Sequence, residues 1–97
     1  MTVREIKNII TKNDHILKEY NVKSLAVFGS HVRNSQSKRS DIDFLVEFNK
    51  STFDNYMGLL SMLRKLLHKK IDLVSIKALK EKIKPYILGE AEWLVRK

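Results

Sequence analysis

The sequence contains no cysteine, a single proline and only three glycines. Without thiols it can build neither a disulfide framework nor a thiolate metal centre. It also lacks any apolar run approaching the ~20 residues of a membrane-spanning helix. The opening stretch, MTVREIKNII, has no uninterrupted apolar segment of the signal-peptide kind. A cytoplasmic protein with no membrane partner is therefore expected. No repeat or low-complexity stretch interrupts the 97 residues, a length that suits a single domain over 1–97 with one core.

What the chain does have is positive charge. The net charge is +8, with 43% apolar and 31% charged residues. Such a balance favours acidic partners, whether nucleotides, nucleic acid or an acidic protein surface. A lysine-rich surface that serves only solubility gives the same numbers, so charge alone decides nothing.

Hydrophobic spacing supplies the outline. Thr2 and Glu5 stand at capping-box spacing ahead of Val3, Ile6, Ile9, Ile10, Ile16, Leu17 and Tyr20, which share one helical face. Asn13-Asp14 is placed to break that helix in two. Residues 24–28 form a short apolar run that ends at Gly29, which reads as a buried strand. Residues 31–40 are polar and read as a helical turn passing into a loop. Residues 42–48 alternate: Ile42, Phe44, Val46 and Phe48 on one face, Asp41, Asp43, Leu45 and Glu47 on the other. A helix over 52–68 carries Phe53, Tyr56, Met57, Leu60, Leu63 and Leu67 as its apolar stripe. A third strand covers 71–76, a helix begins near Ala78 with Pro85 starting a new turn, and 91–95 suit an edge strand. The order predicts an α/β (α+β) fold, a small mixed sheet of three to four strands covered by helices.

Three features on this frame carry chemistry. Asp41 and Asp43 lie two apart on a strand, so both carboxylates leave the same face about 7 Å apart. The apolar opposite face fixes their direction, since a one-residue slip would bury both. Divalent metal is the natural compensation for two such charges. Asp-x-Asp alone is a weak signal, because strand ends often carry exposed aspartate. Gly29-Ser30 ends one strand where backbone can approach a ligand and N–H groups can receive phosphate, although Gly-Ser is also a common turn. Asp72 interrupts an apolar strand, where an acid must be paired or metal-bound; Lys69 or Lys70 could instead neutralise it.

Taken together, FGSHVRNSQSKRSDIDFLVEF followed by KKIDLVSIKALK resembles the minimal nucleotidyltransferases of the DNA polymerase beta superfamily. The resemblance runs from Leu25 to about Ala91. It implies the polymerase-beta-like palm fold, with Gly29, Ser30 and Arg33 binding a nucleoside triphosphate. It further implies Asp41, Asp43 and Asp72 as the catalytic and metal-binding acids, holding two Mg²⁺ ions. His31 and Asn34 depart from the family's usual Arg and Gly, and Asn tolerates left-handed backbone better than other side chains.

By resemblance, a hydroxyl attacks the α-phosphate of ATP and pyrophosphate leaves. The acceptor implied is a tyrosine of a HEPN-domain ribonuclease toxin, silenced by AMP, with this chain as its antitoxin. Nucleic acid is not expected as the direct substrate. Alternatives are an antitoxin that neutralises by masking, a small-molecule nucleotidyltransferase, and a basic nucleic-acid-binding module. The last lacks a helix-turn-helix signature or an aromatic-plus-basic platform. Lys38 and Arg39 could touch phosphate or lie in a solvated basic loop. Trp93 suits an anchor of the final segment or an interface.

Overall fold

The computed structural model describes residues 1–29, 32 and 41–96. Helix α1 spans Val3–Lys12. It begins where expected, because the Thr2 hydroxyl accepts from the Glu5 N–H at 3.2 Å and so satisfies an otherwise unpartnered donor of the first turn. It stops at Asn13, whose backbone N–H donates to Ile10 O at 3.0 Å and whose side-chain amide donates to Ile9 O at 2.8 Å. Helix α2, Asp14–Glu19, starts at once, with the non-helical Asn13 as its N-cap. Asn21 then takes a left-handed turn at φ 57°, a conformation that Asn tolerates. Its carbonyl accepts from the Asn49 N–H at 2.8 Å, closing the sheet's near end.

Four strands follow: β1 Val22–Phe28, β2 Ile42–Phe48, β3 Ile71–Ser75 and β4 Glu92–Arg96. They form one mixed sheet in the order β3-β2-β1-β4. β1 lies antiparallel to β2 and to β4, whereas β3 lies parallel to β2. A parallel neighbour requires a crossover, and helix α3, Phe53–Leu67, supplies it. β1 begins two residues earlier than its apolar run suggests. A register shift between Val22 and Ser24 lets exposed Lys23 leave the ladder while Val22 still pairs with Phe48.

One face of the sheet carries Leu25, Val27, Ile42, Phe44, Val46, Ile71 and Leu73. It packs against Ile6 and Ile10 of α1, Leu17 of α2, and Leu59, Leu60, Leu63 and Leu67 of α3. The α3 stripe differs from the expected one: Leu59 is buried, while Phe53 is 76% and Met57 39% exposed. At about 100° per residue the face centred on Tyr56, Leu59, Leu60, Leu63 and Leu67 leaves Phe53 and Met57 on its flank. The last helix also differs. Residues 76–78 form a 3-10 turn, and helix α4 waits until Lys84–Glu90, with Pro85 in its first turn. Proline lacks the donor a continuous helix from 78 would need, and it suits a helix start. No helix among the described residues is long and apolar enough to cross a membrane.

Candidate active site

The face opposite the core holds the acids. β2 alternates as its sequence requires, with Ile42, Phe44 and Val46 fully buried in the core and Asp43 and Glu47 half-buried on the other side. Leu45 shares the acidic face, yet it is fully buried, as is Ala26 across from it on β1. The acidic side of the sheet is therefore dry at its centre and polar towards the β2 entrance, where Asp41 and Asp43 stand.

Sheet register brings the third acid to them. In the parallel β2–β3 pair Asp43 lies directly beside Asp72, one strand spacing of about 4.8 Å away. Side chains in register on neighbouring strands share a face, so both carboxylates rise from the same side. Asp41 precedes Asp43 by one side-chain repeat, and the Ile42 N–H between them donates to Lys70 O at 3.1 Å, locking the start of β2 onto β3. Asp72 itself is exposed, not buried as the apolar run around it suggests. β3 is an edge strand with only one face against the core, so Ile71 and Leu73 are buried while Asp72 stands in solvent. The tyrosine hydroxyl of Tyr56, on α3, donates to Leu73 O and braces the backbone next to Asp72.

Gly29 meets the acids from the other side. Phe28 pairs with Asp43 in the β1–β2 ladder, so the residue after it lies over Asp43. Gly29 has φ +78°, a left-handed conformation, and a Cβ at this position would sit 2.2 Å from Asp43 Oδ2. Only glycine admits both that backbone and a carboxylate so close. Its N–H donates to Glu90 Oε1 at 3.1 Å. Glu90 escaped the sequence reading, although a signal existed: it is an acid at the last position of α4, the end where the helix dipole disfavours negative charge.

Thus the fold brings Gly29, Asp43 and Asp72 together, with Asp41 immediately before β2, one side-chain repeat ahead of Asp43. Ser30 and Arg33, the other expected triphosphate contacts, lie outside the described residues, as do His31, Asn34, Lys38 and Arg39. Among the described residues, no three Asp, Glu or His side chains close around one point as a finished metal cage. The donor set nevertheless suits a hard divalent cation. Like charges placed directly opposite on neighbouring strands destabilise a sheet, and magnesium characteristically takes one or two carboxylates and completes its shell with substrate phosphate and water. Trp93, on β4, pairs opposite Ala26, and it is this β1–β4 pairing that joins the last strand to the sheet; the Arg96 guanidinium of the same strand lies 4.5 Å over the Trp93 ring.

A mixed sheet with a glycine bend at the end of one strand and acids on the next two describes a nucleotide-transferring enzyme. The comparisons agree. The family model described as "Polymerase beta, Nucleotidyltransferase" matches residues 5–97, and the chain belongs to that family; it is a nucleotidyltransferase. A Methanocaldococcus jannaschii protein, provisionally named a protein adenylyltransferase, is 42% identical over 95 residues, spanning 94% of this chain and 92% of its own. A solved structure, provisionally described as a minimal nucleotidyltransferase, superposes with a TM-score of 0.81 at 26% identity, covering 95% of each chain. The fold recurs in a second solved structure. In a Shewanella oneidensis complex of a tri-AMPylated HEPN toxin with an MNT antitoxin, the matching chain has a TM-score of 0.65 at 17% identity, covering 92% of this chain and 71% of that one.

Proposed function

We propose that this chain transfers AMP from ATP to a hydroxyl of a partner protein, a tyrosine of a HEPN-domain ribonuclease toxin, and thereby acts as its antitoxin. The observation that carries the proposal is the register of Asp43 beside Asp72 with Gly29 folded over Asp43. The name of the M. jannaschii relative supports protein adenylylation, and the S. oneidensis complex supplies the kind of acceptor.

In this reading Asp41, Asp43 and Asp72 would hold Mg²⁺, in one or two ions, which supplies charge neutralisation around the α-phosphate. Gly29, Ser30 and Arg33 bind the triphosphate, glycine by letting it approach the backbone and the other two by hydrogen bonds and charge. The acceptor oxygen bonds to the α-phosphorus, the bond from that phosphorus to the bridging oxygen breaks, and pyrophosphate departs. Asp72, exposed at the sheet edge, orients the incoming hydroxyl and takes up its proton at a carboxylate oxygen. The net charge of +8 favours approach of both ATP and an acidic protein face.

Incubation with ATP, Mg²⁺ and the partner ribonuclease tests this directly: intact-mass measurement should find AMP on the partner. A well-folded enzyme that leaves its partner unmodified refutes the transfer. One observation favours a second reading, neutralisation by masking: the three acids are not drawn around a single point. Alanine at both Asp41 and Asp43 separates the two, because masking survives the change and adenylylation does not.

A further inference from the structure

Glu90 stands outside the residues assigned above, yet its carboxylate touches the glycine turn directly. Its Oε1 accepts from the Gly29 N–H across 61 residues of chain. Sheet register explains the meeting. β4 runs antiparallel to β1 with Glu92 opposite Val27, so two residues further along β1 and two residues back from β4 bring 90 against 29. α4 ends at Glu90 with no basic residue in its last turn, so helix energetics argue against an acid there. What an acid does offer is a charge-assisted acceptor for a backbone N–H beside Asp43.

We propose that Glu90 is a positioning residue for nucleotide transfer: it pins Gly29 so that the Asp43 carboxylate keeps its place against the Gly29 Cα. The inference rests on the nucleotidyltransferase reading of the Gly29–Asp43–Asp72 site. A glycine at φ +78° can leave that conformation more readily than any other residue. The Val32 N–H holds the carbonyl side of Gly29 at 3.2 Å, and Glu90 fixes its N–H side, the side that sets the turn against β4. Glu90 touches no reacting atom in this scheme; it acts through Gly29.

The test compares wild type, E90Q and E90A by the Gly29 amide resonance in ¹⁵N-labelled protein, and by kcat and KM for ATP. E90A should move that resonance and lower kcat about tenfold, the loss of one hydrogen bond to a charged group, with a smaller change in KM. E90Q, whose amide oxygen still accepts, should keep the resonance near its wild-type position and most of kcat. An unmoved Gly29 amide in E90A, or E90Q as impaired as E90A, overturns the proposal. So does a faster E90A, which would make Glu90 a competitor of the triphosphate. If wild type binds Mg·ATP but transfers nothing, the transfer reading fails by itself. Positioning is then decided by calorimetric ATP affinity: weaker in E90A and restored in E90Q if Glu90 orders the turn, equal in all three if it does not.

Discussion

Replacing Gly29 by alanine should separate stability from catalysis. The backbone at φ +78° costs a residue with a Cβ about 1–2 kcal/mol. The new methyl would fall 2.2 Å from Asp43 Oδ2, so that oxygen must retreat by roughly 1 Å to reach ordinary contact. Because Oδ2 ends a rotatable side chain, the retreat adds little to the folding cost. A protein of ordinary stability, about 5–15 kcal/mol, stays folded. Catalysis has no such tolerance: a displacement of about 1 Å at a reacting group can lower rate on the order of 10²-fold. Urea unfolding should therefore show a loss of about 1–2 kcal/mol, while AMP transfer falls far more than stability does. Full wild-type transfer by folded G29A would refute the placement of Gly29 over Asp43 as a catalytic requirement.

The other two glycines give contrasting controls. G58A brings a Cβ to 2.2 Å from the Tyr20 ring, and thermal unfolding should report a loss of about 1–3 kcal/mol from overpacking. G89A meets nothing within 4 Å on α4 and should gain up to about 1 kcal/mol from helix propensity. D72N removes one of two like charges in register, so without metal it should melt higher, by up to about 1 kcal/mol, while losing transfer and any stabilisation by Mg²⁺. Y56F deletes the hydroxyl that braces Leu73 O; denaturant titration should register about 1 kcal/mol.

Local rules made most of this legible. The alternation in residues 42–48 set the direction of Asp41 and Asp43, because a strand with one wholly apolar face has one acceptable register. Thr2 marked a helix boundary by accepting from a first-turn donor, Asn13 by donating to last-turn carbonyls, and Pro85 by the donor it lacks. Where the reading failed, the cause was tertiary. Phe53 and Met57 fit a helical stripe, but the centre of the buried face depends on where β2 and β3 lie beneath α3. Asp72 looked buried because its neighbours are apolar, and strand order, which placed β3 at the edge, is not written in one strand. Glu90 meets Gly29 only through the β1–β4 pairing, a contact no local spacing encodes. Its unfavourable place at a helix end was the one local clue.

Calorimetric titration with ATP, in the presence and absence of Mg²⁺, bears most directly on the account. Wild type should bind ATP tightly only when Mg²⁺ is present, and D43N and D72N should each lose that dependence together with most of the affinity. Equal binding with and without the metal, or unchanged Mg²⁺-dependent binding in D43N and D72N, would contradict the assignment of these two aspartates to the nucleotide site.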